Sequence, residues 1–500
     1  MNKVRQLAIA AGIALALVSG CATEKGKHYR YTAERLFHRA DQMHKKAAIR
    51  AAAGDSRILA EVKDAYRKTI DYCWQYIDSL SRDKNPEERL EFETVAFLAV
   101  ERLVGIHFAE RKYDSAQLIL SQLLTFTRLE GVQLLRSQLH LARSHQLAGN
   151  QAEAIAIYHR LLDIFYPPVD DKNQVIFDVL NLPLEIIAVN RTVQNEEIVA
   201  RESESAKSYY KRIIGEWPNT TLATAARGII ARILTDEEDY QAAIENLRQI
   251  RDSTGQTDRE ARLVIAELTG SGLGDYQSAI LMYDELLAQT TDTMVLPDIY
   301  LRKGIALYQA KYYQECREVM KLIKNNYESF FIQNPAPQNY LGMAFEKEGN
   351  WERAETEYLR VIDGYPTTEA AFNTYLVIAQ HYTDTNNDQI AELWYRRAEE
   401  FYQKMAATYA GTTVEPSAIA FTAEIARRKQ QWQKAADILI GLYERFPGTE
   451  VGQKAMVNAA GVYRNRLNDE ITANSLLERL RRELVPTQAD KNIGSNSDDY

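Results

Sequence analysis

One small residue returns along this chain at near-constant intervals, and that recurrence restricts the fold more than any other feature. Ala116, Ala154, Ala206, Ala243, Ala279, Cys316, Ala354, Ala391, Ala435 and Ala473 are separated by 38, 52, 37, 36, 37, 38, 37, 44 and 38 residues. Four and seven residues after each anchor every slot is apolar, as in Tyr358 and Val361 after Ala354, or Leu439 and Leu442 after Ala435. Steps of three and four place these slots on one face of a helix. Twelve residues before the anchors stand Ala142, Ala231, Gly304, Gly342, Ala379, Ala423 and Gly461, with Val104, Gln194 and Glu267 as exceptions. Two small side chains on consecutive helices let the axes approach closely, and a bulkier one would overpack the contact by about 1–3 kcal/mol. The spacing predicts a helical hairpin repeated about ten times, each copy burying its apolar face by stacking on the next. No long stretch alternates with period two, and the prolines sit mostly at segment ends. The fold class is all-α, a superhelical solenoid.

The segment "YLGMAFEKEGNWERAETEYLRVIDGYP" carries Leu341, Gly342, Phe345, Ala354, Tyr358 and Pro366, and "HLARSHQLAGNQAEAIAIYHRLLDIFYP" carries Leu141, Ala142, Ala154 and Tyr158. Both resemble the tetratricopeptide repeat (TPR), and the resemblance extends over roughly residues 95 to 485. Endings such as "EWPNTTLATAA", "GYPTTEAAFNTY" and "RFPGTEVGQKA" place a proline after one helix and a Thr or Asn that can cap the next. They resemble the repeats of BamD-type outer-membrane lipoproteins, although this chain is much longer.

The N-terminus reads as an export signal: Lys3 and Arg5, an apolar run from Leu7 to Val18, then Ser19-Gly20. The run is too short to span a bilayer, which takes ~20 residues. Val18-Ser19-Gly20-Cys21 resembles the lipobox of bacterial lipoproteins, which implies lipidation of Cys21 and, with Ala22 following, an address at the periplasmic face of the outer membrane. The expected organisation is a signal peptide (1–20), a lipidated tether (21–29), an N-terminal helical cap (30–90) and a first set of repeats (91–166). An irregular connection follows (167–200), read as a bend in preference to a functional loop. A second set of repeats (201–485) and a disordered tail (486–500) complete the chain.

The formal charge is −9, and −11 once Lys3 and Arg5 are removed with the signal. An acidic chain does not bind nucleic acid or anionic surfaces through bulk charge. Cys73 and Cys316, far apart in different repeats, read as buried core thiols. No catalytic motif appears, and the eight histidines do not gather at metal-ligand spacing. His140 and His145 are five apart, and His145 falls on a core slot. "GSGLGDY" (270–276) lacks the Lys-Ser/Thr and the preceding strand of a phosphate loop. The chain is therefore expected to be no enzyme, with no cofactor, metal or small-molecule substrate.

In the repeat family the first helices line a groove that holds segments of other proteins. Counted one and four residues beyond the small residue of each first helix, the candidate docking residues are Arg143, Gln146, Arg232, Tyr308, Glu346, Glu424 and Arg427. Their mixed charge argues against a ligand of single sign. Among 29 tyrosines, Tyr158, Tyr283 and Tyr358 fall on core slots, while Tyr308 and Tyr312 are candidates for the groove. The expected function is a lipid-anchored periplasmic scaffold for envelope proteins, in outer-membrane protein assembly or envelope maintenance. The alternative is a component of a polysaccharide synthesis or export complex.

Overall fold

A computed structural model describes residues 24–51, 57–80, 86–192, 196–252, 255–446 and 449–484. The export signal, Cys21 and the 486–500 tail lie outside these residues. The chain divides into two compact units, Met1–Tyr166 and Pro167–Tyr500. The first contains α1 (Glu24–Ala51), α2 (Arg57–Ser79), α3 (Pro86–Ala109), α4 (Tyr113–Phe126), α5 (Gly131–Leu147) and α6 (Gln151–Ile164). The second begins with α7 (Phe177–Leu180), α8 (Leu182–Thr192), α9 (Glu196–Glu216), α10 (Thr221–Asp236), α11 (Tyr240–Leu247), α12 (Arg259–Glu267) and α13 (Tyr276–Gln289). It continues with α14 (Leu296–Gln309), α15 (Tyr313–Asn326), α16 (Glu328–Gln333), α17 (Ala336–Lys347), α18 (Trp351–Gly364), α19 (Glu369–Asp384) and α20 (Asp388–Thr408). Last come α21 (Val414–Arg428), α22 (Trp432–Arg445), α23 (Glu450–Arg466) and α24 (Glu470–Leu484). Among the described residues there is no strand, only isolated bridges at Val169–Val175 and Arg251–Thr257. The fold is a TPR-like helical solenoid.

Every anchor of the sequence repeat is buried, from Ala116 to Ala473. At Gly304 and Gly342 the small residue of the first helix lies under the side chain four residues beyond the anchor of the second. A Cβ on Gly342 would come 2.6 Å from the Tyr358 ring, and one on Gly304 would collide with Met320 Cε. The close approach is thus between a small residue and the large side chain sixteen positions later. Gly461, at the last such slot, has nothing within 4 Å of where its Cβ would be.

A second regularity closes nine of the ten hairpins, that of Ala206 being the exception. Arg111, Gly149, Glu238, Gly274, Lys311, Gly349, Asn386, Gln430 and Asn468 all have positive φ, and each stands five residues before an anchor. The next residue's N–H then reaches back to a carbonyl of the preceding helix, as from Lys112 to His107 (2.8 Å) and Asn350 to Phe345 (2.9 Å). This is a helix stop with one left-handed residue, which satisfies carbonyls that the helix end leaves open. Between hairpins a threonine serves both neighbours. Thr220, Thr368 and Thr449 each donate to a carbonyl closing the previous helix (Trp217, Tyr365 and Phe446, 2.7–2.8 Å). Their hydroxyls also accept from the N–H of Ala223, Ala371 and Gly452 in the next helix.

The long interval between Ala154 and Ala206 has a structural cause. Residues 167–176 form a tight hairpin in which Asp170 Oδ1 accepts from the N–H of Lys172 and Gln174 (2.8 Å each). Helices α7 and α8 then serve as a first helix against α9, which has 21 residues where α6 has 14. Glu267, an exception to the small-residue rule, is explained by one turn of π-helix at Leu268–Gly272. The extra residue shifts the register, so that fully buried Ala266, thirteen residues before Ala279, takes the small slot in the same cluster as Ala279 and Tyr283.

In the first unit Arg89 joins three helices from a nearly solvent-free position. Its guanidinium pairs with buried Glu93 (2.9 Å) and donates to the carbonyls of Ile77 (2.5 Å) in α2 and Phe126 (2.9 Å) in α4. The pair is stabilised in place because all three guanidinium nitrogens find partners, two of them carbonyls near helix ends that would otherwise be bare.

Two predictions follow from packing and burial. Gly342→Ala should destabilise the protein by about 1–3 kcal/mol in urea unfolding, because the Tyr358 ring must move. Gly461→Ala, at the equivalent slot with open space, should instead stabilise it by about 0.5–1 kcal/mol through lost backbone entropy of the unfolded chain. The second concerns His44, His107 and His140, all in the first unit. Burial lowers all three pKa values, assisted by Arg102 at His44 and by Arg67 and Lys63 at His107. At His140 burial acts against Glu101, with Arg143 and Arg136 adding to it. As pH falls below 6.5, the unfolded chain takes up protons that the folded one refuses, so stability is full above that pH and is lost below it. Urea melts read by pulsed hydrogen exchange should show the α3 midpoint dropping from about pH 7.5 to about pH 5.5, with a smaller drop in His107→Gln. An unchanged α3 midpoint would contradict this.

Candidate docking surface

Within the second unit, successive first helices touch one another, α14 with α17, α19 with α21 and α21 with α23. The second helices make their main contacts with their own and the following first helix. The first-helix row is therefore the more tightly spaced one, the inner side of the stack. Positions one and four beyond the small residue fall on this row, and the structure separates them into two kinds.

Arg143 and Arg232 are exposed and make no hydrogen bond or ion pair among the described residues. The others are occupied within the chain. Gln146 accepts from the Tyr158 hydroxyl (3.2 Å) and Glu346 from the Tyr358 hydroxyl (2.5 Å). In both hairpins the core tyrosine of the second helix reaches back twelve residues to the first. Burial, and then the Glu346 carboxylate, push the Tyr358 pKa far up, so this hydroxyl is a permanent donor. Tyr308 stands edge-to-face against Tyr340 with centroids 5.4 Å apart, and burial followed by the Glu346 charge pushes it up to about 12. Glu424 pairs with Arg427 (3.1 Å) and Arg428 (3.2 Å). Arg428 also donates to the Leu376 carbonyl (3.2 Å), which joins α21 to α19. Tyr312 is exposed at the start of α15, its hydroxyl accepting from Gln277 Nε2 at 2.6 Å.

Sequence reasoning missed one concave feature. Between α18, α19 and α20 lies a cavity of about 400 Å³. Ile362, Tyr375, Trp394 and Phe401 form its apolar lining, and Asp363, Arg397, Glu400 and Lys404 its charged rim. Arg397 lies over the Trp394 ring, 5.0 Å from its centroid. Helix α20 has 21 residues against 14 in α18 and α22, so two additional turns, residues 402–408, carry Lys404 beyond the length of the neighbouring second helices, with Phe401 at the last shared position. The 44-residue interval between Ala391 and Ala435 is the sequence trace of those turns. The cavity is an open depression with an apolar floor and a charged rim.

The glycines of "GSGLGDY" are accounted for by packing. Gly270 faces Ala279 and Tyr276, Gly272 faces the Tyr240 ring, and Gly274 takes the left-handed turn. Cys73 and Cys316 are buried and free, each thiol pushed up to about 12 by burial. Among the described residues no three His, Cys, Asp or Glu side chains converge as metal ligands, and no helix is long and apolar enough to cross a membrane. What these surfaces offer is a row of mixed charges and a depression.

The tetratricopeptide-repeat family model matches residues 136–167 and 340–368, which are the α5–α6 and α17–α18 hairpins. The chain thus contains TPR repeats, a fold typically non-enzymatic and used to bind proteins. It is similar to the solved structure of yeast Tom70, at 13% identity and TM-score 0.41, over 93% of this chain and 94% of that one. It is also similar to a tetratricopeptide repeat protein from Parabacteroides merdae, at 15% identity and TM-score 0.34, over 60% of this chain and 98% of that one. A third is pilF of Pseudomonas aeruginosa, at 15% identity and TM-score 0.29, over 46% of this chain and 95% of that one. No curated protein matches the chain.

The two kinds of inner residue predict opposite results. Glu346→Ala should cost about 1–3 kcal/mol in urea unfolding, since it leaves the buried Tyr358 hydroxyl without its acceptor. Arg232→Ala should change stability by no more than about 0.5 kcal/mol.

Proposed function

We propose that this protein is a non-enzymatic scaffold, anchored by lipid on Cys21 at the periplasmic face of the outer membrane. There it docks other envelope proteins on the inner faces of its repeats. The observation that carries the reading is that TPR hairpins in each unit present an exposed arginine on a first helix with no hydrogen bond or ion pair among the described residues, Arg143 in the first unit and Arg232 in the second. An exposed arginine without an internal partner is available for bidentate pairing with a carboxylate of another chain. The anchor is supported by Val18-Ser19-Gly20-Cys21 and the basic and apolar residues before it. Two or more acyl chains on one cysteine would hold the protein stably, as a single chain would not.

The test is photo-crosslinking in living cells from position 232, with exposed Thr356 on a second helix as the control, alongside palmitate labelling. Protein adducts from position 232 but not from 356, and a palmitate label lost in Cys21→Ala, are the expected results. Equal adducts from both positions would remove the docking role. A label that persists without Cys21 would remove the anchor. If deletion of the protein abolishes exopolysaccharide instead, the polysaccharide-complex reading takes its place.

A further inference from the structure

The charge of this chain is distributed unevenly, and the exception lies beside the proposed anchor. Residues 24–51 hold eight Lys and Arg against three Asp and Glu, a net +5 in a protein whose total is −9. Helix α1, which these residues form, packs on α2 and α3 through Ala33, Ala40 and Ala47, spaced by seven along one side. Its other side faces solvent. Over residues 31–46 that side exposes four cations, Arg35, Arg39, Lys45 and Lys46, and one carboxylate, Glu34. Glu34 is already paired with Arg30 (3.0 Å), and Lys45 with Asp41 (2.7 Å). Arg35, Arg39 and Lys46 have no hydrogen bond or ion pair among the described residues. Steps of four and seven set these three cations in a line along the helix. At the end nearest Cys21, Tyr31 is 62% exposed.

We propose that α1 is a second membrane contact, its exposed basic face lying along anionic phospholipid headgroups. This rests on the lipid anchor proposed above. Glu24 is three residues from Cys21, so the helix starts within about 10 Å of the acylated cysteine at the chain's greatest extension. That is about one Debye length at 0.1 M salt, close enough for headgroup phosphates to act on the helix. A lipid chain reinforced by a polybasic patch is a recognised way to make anchoring stable, and each basic residue near an anionic surface adds to it. An exposed tyrosine at the anchor end suits the interface, where amphipathic rings settle. The remainder of the protein is strongly acidic and is repelled by the same surface, so α1 also orients the repeats away from the membrane. An acidic protein is the other partner such a face would accept. Proximity to the anchor and the position of Tyr31 favour lipid.

The test uses the mature full-length chain with Cys21→Ser, so that binding reports α1 without the acyl chains. It is mixed at low salt with vesicles of phosphatidylcholine alone or of phosphatidylcholine with phosphatidylglycerol, and sedimented. Binding to the anionic vesicles only, abolished by high salt and weakened about a hundredfold in R35Q/R39Q/K46Q, is expected. All three residues are exposed, and circular dichroism checks that the variant is folded. Equal binding to both vesicles, or none to either, overturns the proposal. So does crosslinking from Gln42 in cells that captures an acidic protein in place of lipid. Failure of Cys21 acylation in the palmitate experiment, with anionic-vesicle binding intact, would instead count against the anchor alone.

Discussion

The most tightly packed hairpins depend on one contact, a small residue of the first helix lying beneath the large side chain sixteen positions later. Where that residue is glycine, as with Gly342 under Tyr358 or Gly304 under Met320, the partner's atoms occupy the space a Cβ would fill. Interiors are packed at crystal-like density, so the contact sets how closely the two helices lie. The anchor is buried behind it. The repeat has tight tolerance where these two side chains meet and wide tolerance elsewhere.

Polar groups in this scaffold mostly serve the backbone, which explains why so few residues remain for chemistry. Arg89 ties the ends of α2 and α4, the inter-repeat threonines close one helix and open the next, and the core tyrosines spend their hydroxyls on first-helix acceptors. A buried donor without an acceptor is costly, so Tyr158 and Tyr358 claim partners on the face where a ligand would otherwise bind. The docking capacity of the inner row is accordingly narrower than its composition suggests. It rests on exposed groups such as Arg143 and Arg232, while Gln146, Glu346, Glu424 and Tyr308 are engaged within the chain.

Irregularities in the repeat interval turned out to be as informative as the interval itself. The 44-residue step became two additional turns of α20 and a depression beside Trp394. The 52-residue step became a ten-residue hairpin at 167–176 and a lengthened α9. The misfit at Glu267 became a one-residue π-bulge. The two long intervals showed that something was inserted and Glu267 only that the small slot was missed, but helical periodicity cannot tell a longer helix from a longer loop or a bulge. Only backbone hydrogen bonding distinguishes them.

By itself the sequence determined the class of fold, the number and phase of the hairpins, and the identity of their buried slots, because side-chain size and apolar spacing are local properties readable along a helix. The tertiary structure alone decided which inner residues are free. A side chain's partner, as for Glu346 with Tyr358, is set by three-dimensional proximity. The left-handed stop five residues before nine of the ten anchors was legible only where glycine marks it, as at Gly349, because Arg111, Glu238, Lys311 and Gln430 hold the same conformation that glycine holds at Gly149 and Gly349. There the packing of two helices imposes a backbone geometry that the residue itself does not prefer.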